Sequence, residues 1–223
     1  MLIDFESKGY CVVENVVSVA NAMAIAQGLE LERSLRKGGH SLRNLTVLPI
    51  VQDAAKLPHL IELVDEVLGL NSRLVRAIFF DKVPGANWSV PWHQDLTICV
   101  KEKHAIDGFG PWPPKDGAIH VQPPAIILEK MLTARIHLDD CGAQNGPVRV
   151  VPGSHRHGKI GESDISGWIK NEVACVGGVG SVLFMRPLLL HASSPAVNPS
   201  HRRVLHLEFA AEDLPLPLEW NPF

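Results

Sequence analysis

From residue 75 onward the chain is a succession of short β-type runs with no helical periodicity between them, and this pattern constrains the fold most. Residues 75–83, 96–100, 132–138, 148–152, 181–186 and 204–209 are rich in branched and aromatic side chains. Turn chemistry separates them: Pro84-Gly85, Asn145-Gly146 and Gly177-Gly178. Many short strands without a βα rhythm predict an antiparallel sandwich or barrel rather than a parallel sheet. Asn145-Gly146, between two strand candidates, reads as a hairpin turn.

The first 70 residues read differently. A β-type run at 9–14 precedes a helix predicted over 18–35, with apolar Ala20, Met23, Ala24, Leu29 and Leu31 and a weakening Gly28. A second helix is predicted over 59–68. Leu60, Leu63, Val64, Val67 and Leu68 there form one stripe at helical spacing, and Gly69 supplies the stop. The expectation is one domain spanning 1–223: a helical flank over 1–70 packed on a β core over 71–210. The segment 101–124 holds five prolines and three glycines and reads as a loop or lid rather than a strand pair.

Composition narrows the function classes. With 46% hydrophobic residues, 20% charged residues and a formal net charge of −3, the chain has no basic track for nucleic acid and no long uncharged run for a membrane. MLIDFESKGY has no apolar signal region, so a cytoplasmic location is expected. Cys11, Cys99, Cys141 and Cys175 are scattered, with neither zinc-finger nor disulfide-scaffold spacing, and read as reduced thiols.

His93-Gln94-Asp95 carries the chemistry. In a strand, residues i and i+2 share a face, so His93 and Asp95 can reach one ion, and His191 at the end of another strand candidate can complete a facial triad. Such a set suits Fe(II), and also Mn, Co, Ni or Zn. His-x-Asp alone is a weak motif in a chain with eleven histidines. Arg202, eleven residues past His191, is a candidate anchor for a carboxylate. Alternation groups it with His206 and Glu208, and groups Arg203 with Leu205, Leu207 and Phe209. Trp88 and Trp92 flank the motif as packing or substrate contacts.

The runs FFDKVPGANWSVPWHQDLTI, RIHLDDCGAQNGPVRVVPGSHRHGKI and GSVLFMRPLLLHASSPAVNPSHRRVLHLEF, with the opening FESKGYCVVENVVS, resemble the phytanoyl-CoA dioxygenase family over nearly the whole chain. The resemblance implies a double-stranded β-helix (jelly-roll, cupin-like) core with N-terminal helices. It implies an enzyme using Fe(II), 2-oxoglutarate and O2 to oxidise a C–H bond, releasing succinate and CO2.

By position, His93, Asp95 and His191 match the family's iron ligands, Arg202 the arginine on the distal carboxylate of 2-oxoglutarate, and Ser193 a residue that assists. Arg135 falls where many relatives place a tryptophan, as a co-substrate or substrate contact. Lys82, on the strand leading to the iron site, is a co-substrate candidate or a structural lysine, and Lys37 and Arg43 compete with it for the co-substrate contact. Halogenating relatives replace the aspartate, so Asp95 favours hydroxylation. The chain is short for an acyl-CoA hydroxylase and shows no nucleotide-pocket signature, so the family name does not fix the substrate. Trp112, His120 and Gln122 in 101–124 are candidate substrate contacts. His155 and His157 read as turn residues, and His137 as a buried, satisfied histidine.

The expected partner is a small or medium organic substrate for a monomer or homodimer. The competing readings are a catalytically silent jelly roll that binds a metal or metabolite, and a zinc hydrolase. The hydrolase would lack an evident general base and gives Arg202 no role.

Overall fold

The computed structural model describes residues 4–115 and 117–221. Thirteen strands are described: β1 (Tyr10–Val13), β2 (Ser41–Leu42), β3 (Arg73–Lys82), β4 (Val90–His93), β5 (Ile98–Val100), β6 (Pro114–Lys115), β7 (Ala118–Val121), β8 (Met131–His137), β9 (Val148–Val150), β10 (Val173–Cys175), β11 (Val182–Met185), β12 (His191–Ser193) and β13 (Arg202–Ala210). They form a six-stranded sheet in the order β1-β11-β8-β13-β3-β2, a four-stranded sheet β10-β9-β12-β4, and a three-stranded sheet β5-β7-β6. Every pairing is antiparallel. This is the jelly-roll arrangement of a major and a minor sheet.

Period-2 alternation on the major sheet separates two interiors. Leu205, Leu207 and Phe209 of β13, Ala77 and Phe79 of β3, and Leu132, Ala134 and Ile136 of β8 pack outward with the N-terminal helices. Those helices are α1 (Phe5–Lys8), α2 (Val19–Arg36), α3 (Pro49–Ala55) and α4 (Pro58–Leu68). Their contribution to the core comes from Ala22, Ile25, Ala26, Leu29, Val51, Leu60 and Val64. The opposite faces of the same strands carry Arg202, His206 and Glu208, then Arg76 and Lys82, then Thr133, Arg135 and His137, and all of these are buried. A polar face that is buried must find partners or a ligand, so the fold itself marks this interior as the place to look.

The helix boundaries follow local chemistry. Ser18 caps α2 by accepting a hydrogen bond from the Asn21 N–H at 3.1 Å. Lys37 ends the helix in the left-handed region, φ 50°. Pro58 opens α4 at its first position and Gly69 follows it. Helix α3 was not foreseen; seven residues are too few for a periodic pattern to stand out.

Two expectations need correction. Asn145-Gly146 does not turn a hairpin: β8 lies in the major sheet and β9 in the minor, so this turn carries the chain between sheets. The segment 101–124 is not structureless, since it supplies β6 and β7. Its Trp112, Ile106 and Phe109 pack on a second apolar cluster with Val100, Val121, Leu128, Leu214 and Leu218. Among the described residues no helix is long and apolar enough to cross a membrane. All four cysteines are free.

Candidate metal centre and anion pocket

The His93 and His191 side chains meet because their strands are neighbours. β12 pairs with β4, and His191 stands opposite His93 in the register. Their ring centroids lie 4.2 Å apart. The backbone N–H of Asp95, two residues past the end of β4, donates to the Pro187 carbonyl at 2.9 Å. That bond brings the carboxylate between the rings, 3.7 Å from His93 Nε2 and 3.6 Å from His191 Nε2.

The tautomers are fixed by the backbone. His93 Nδ1 lies 2.8 Å from the Pro91 carbonyl and His191 Nδ1 lies 2.8 Å from the Leu189 carbonyl. A carbonyl only accepts, so each Nδ1 carries the proton and each Nε2 presents a lone pair toward Asp95. Asp95 Oδ2 is buried with no hydrogen-bond partner. Burial alone would raise the Asp95 carboxyl, but His191, His93 and, beyond them, His206 and Arg76 outweigh it and hold it well below the usual carboxylate range. Burial pushes His191 down to about 4. The cluster thus offers one carboxylate and the Nε2 atoms of two imidazoles, the ligand set that a divalent cation takes. One ligand atom from each residue lies within 4.8 Å of the others. This donor set fits Fe(II) or a similar first-row metal.

Gln94, the unassigned middle residue of the motif, faces the other way by alternation. Its amide donates to the Gly158 and Leu188 carbonyls at 2.8 and 2.6 Å and accepts from the Ile160 N–H at 2.7 Å. It fixes the motif to two loops. Nothing in the sequence signalled this role, because glutamine is an ordinary surface residue.

A cavity of about 220 Å³ opens beside the cluster, lined among others by Arg76, Phe80, Trp88, Arg135, Ser193, Arg202, His206 and Glu208 as well as the three cluster residues. Arg202 Nη1 donates to the Gly146 carbonyl at 3.0 Å, while its Nε has no partner. Gly146 adopts φ +61°, and a Cβ there would stand 2.5 Å from the Ser194 carbonyl, so only glycine supplies this acceptor without strain. Lys82 pairs with Arg202 across β3 and β13. Its ammonium donates to Ser193 Oγ at 3.0 Å and the Ser194 carbonyl at 2.8 Å and lies 5.6 Å from the Trp88 ring. It therefore stands behind Ser193 rather than on the wall. Burial, with Arg202 and Arg135 close by, lowers Lys82 to about 7.

On the same face a hydrogen-bonded chain crosses three strands. Arg135 Nη1 donates to His206 Nδ1 at 2.8 Å, so His206 Nε2 carries its proton toward Glu208 Oε1 at 3.1 Å. Arg76 Nη1 donates to that same oxygen at 3.1 Å. Burial first, then Arg135, keeps His206 below its ordinary value in spite of Glu208. The sequence placed His206 and Glu208 on the face of Arg202 but did not foresee their linkage or the part of Arg76, since strand pairing alone brings them together.

Of the remaining candidates, Arg43 lines the cavity, whereas Lys37 is the exposed cap of α2. Trp112, His120 and Gln122 are not among the lining residues. Trp112 packs in the second cluster with Lys103 5.5 Å from its ring, buried His120 lies against Cys99 Sγ at 3.4 Å, and Gln122 pairs through its backbone with Gly110 and Pro111. Prolines and an aromatic suggested a substrate wall there; the pairing of β7 with β5 carries the segment to a different core. His155 Nε2 meets the Glu6 carbonyl at 3.2 Å, and buried His137 bonds Ser181 at 2.8 Å, as the turn and buried-histidine readings expected. A second cluster of Glu30, Asp81 and His201 is closed by Arg33, which pairs with both carboxylates.

Comparison with known proteins follows this geometry. A family model described as phytanoyl-CoA dioxygenase matches residues 5–204. Among solved structures, the 2-oxoglutarate-dependent carbocyclase SnoK from nogalamycin biosynthesis is similar with TM-score 0.74 and 16% identity, covering 98% of this chain and 84% of that one. EctD from S. alaskensis, solved with 2-oxoglutarate and 5-hydroxyectoine, gives TM-score 0.71 and 21% identity over 93% of this chain and 74% of that one. HygX from Streptomyces hygroscopicus, solved with nickel and 2-oxoglutarate, gives TM-score 0.68 and 15% identity over 92% and 84%. These likenesses show the fold. No curated protein matches the sequence.

Proposed function

The chain belongs to the phytanoyl-CoA dioxygenase family, and on that footing we propose that it is an Fe(II)- and 2-oxoglutarate-dependent dioxygenase hydroxylating a small or medium organic molecule. The observation that carries this reading is the pairing of an N2O donor cluster with an adjoining cavity: among the described residues one Asp95 oxygen has no hydrogen-bond partner and the buried Arg202 has no carboxylate partner.

His93, Asp95 and His191 would hold the iron, which when bound supplies O2 activation coupled to conversion of 2-oxoglutarate to succinate and CO2. The other side chains bind and orient. Arg202, which lines the cavity, receives the distal carboxylate of the co-substrate, with Gly146 holding one guanidinium nitrogen in place. Ser193 lines the cavity beside it, and Lys82 orients the Ser193 hydroxyl and adds positive charge behind it. Arg135 borders the same space. Phe80, Ile78 and Val90 supply apolar wall that excludes water. The aspartate supports hydroxylation over halogenation. The co-substrates named for HygX and EctD support the same ligand set. The protein is read as a monomer or homodimer with a small-molecule partner.

The test is anaerobic mixing of apo-protein with Fe(II) and 2-oxoglutarate, watching for the visible charge-transfer band of a chelated keto acid. A band that weakens in Asp95→Ala and Arg202→Ala is expected. Bound iron without a band would overturn the reading.

A further inference from the structure

Four arginines are buried: Arg76, Arg135, Arg186 and Arg202. Arg76 pairs with Glu208 and Arg186 with Glu6. Among the described residues Arg135 and Arg202 have no carboxylate partner within ion-pair distance, and each keeps a buried Nε with no acceptor. Both line the cavity. A buried guanidinium facing only a neutral imidazole on one nitrogen is costly unless a ligand's charge completes it.

We infer that the substrate is an organic anion and that Arg135 receives its acid group. The inference rests on the reading of the site as a 2-oxoglutarate oxygenase, and it sets the substrate class within that reading.

The charge balance is the argument. Arg76 and Glu208 cancel. A divalent metal with Asp95 leaves one positive charge, which the carboxylate beside the keto group of 2-oxoglutarate offsets. Arg202 takes the other carboxylate. Arg135 is then the buried cation on the wall that no protein carboxylate among the described residues pairs with and no co-substrate carboxylate takes, with Lys82 adding further positive charge behind Ser193. Half-buried Arg43 is screened by water and leaves this balance unaltered.

Placement agrees. Arg135 stands opposite His206 on β13, four residues along from Arg202, so the two guanidiniums begin at different levels of the sheet. Arg135 also feels the Asp95 charge. Its Nη1 is committed to His206 and its Cζ lies 5.6 Å from the Phe80 ring, which fixes the guanidinium plane where it lines the cavity. A carboxylate seated there would hold the rest of a compact substrate beside the metal cluster.

The experiment uses wild-type protein loaded anaerobically with Fe(II) and saturating 2-oxoglutarate. It is titrated with benzoate, cyclohexanecarboxylate and N-acetylglycine, and with the primary amide of each. Displacement of 2-oxoglutarate bleaches the charge-transfer band, whereas binding beside it shifts the band. At least one acid is expected to shift it saturably, with its amide at least about tenfold weaker, as loss of a charged hydrogen bond implies. Arg135→Gln should lose the acid response while binding 2-oxoglutarate nearly as wild type does, and Arg135→Lys should keep part of it. Amides as good as acids, no saturable shift by any acid, or Arg135→Gln weakening 2-oxoglutarate as much as Arg202→Gln does would each overturn the proposal. The acid–amide comparison needs no variant to fold. Absence of any band with 2-oxoglutarate alone would instead overturn the oxygenase reading itself.

Discussion

His93 and His191, 98 residues apart in the chain, face each other across one strand pair with ring centroids 4.2 Å apart. Each is locked by a 2.8 Å bond from Nδ1 to a carbonyl two residues earlier, so both lone pairs are aimed before any ion arrives. Asp95 closes the triangle with an oxygen that no protein group satisfies. Asp95→Ala should therefore weaken Ni(II) or Fe(II) binding by more than the roughly 10–100-fold typical of losing an outer hydrogen-bond partner. Its thermal stability without metal at neutral pH should fall below that of wild type, because surroundings that hold this carboxyl below its usual range favour the charge in the folded state. Titration calorimetry and a metal-free melt check both halves.

Gln94 faces away from the cluster, and its amide makes three hydrogen bonds to two loops, one buried and two part-buried. Gln94→Leu should cost about 2–3 kcal/mol of stability in denaturant titration, since it leaves two carbonyls and one N–H without partners. It should also weaken metal binding by misplacing its sequence neighbours. Stability lost with metal affinity unchanged would show that the motif holds its geometry without this bracket.

Lys82 gives the co-substrate a pH dependence with a definite sign. Burial, Arg202 and Arg135 lower its pKa to about 7; the Cys141 thiol, Ser193 and the Trp88 ring are its other neighbours. A bound dianion raises that pKa, so binding takes up a proton. Affinity for 2-oxoglutarate should be greatest below pH 7, fall as pH climbs through the raised value in the complex, and level off above it. Lys82→Met should flatten this profile while leaving metal affinity in place. A wild-type affinity independent of pH between 6 and 9 would remove Lys82 from the anion pocket.

The cluster was legible in the sequence because strand alternation puts i and i+2 on one face, and because Arg202 could be grouped with His206 and Glu208 by parity. The long runs at β3, β8, β11 and β13 and the two longest helices were legible from periodicity for the same reason. What lay beyond reach depends on which strands pair. Arg76 meets Glu208 only because β3 and β13 are neighbours in one register, and residues on a polar face read as solvated until a second sheet covers them. Asn145-Gly146 has a hairpin's composition, yet its two flanking strands belong to different sheets. Turn propensity is local, and the choice of partner strand is not.

Trp112 shows the same limit. Aromatic character in a proline-rich segment suggests a substrate wall, but the pairing of β7 with β5 draws the segment into the cluster of Val100, Leu128 and Leu214. Trp112→Ala should cost about 3 kcal/mol, as truncation of a large packed aromatic does, with half-exposure placing it at the low end. Metal affinity and 2-oxoglutarate affinity of the folded variant should stay within about twofold of wild type, since Trp112 does not line the cavity. Equilibrium unfolding against anaerobic titration separates the two effects. A variant of wild-type stability that binds 2-oxoglutarate poorly would return this tryptophan to the site.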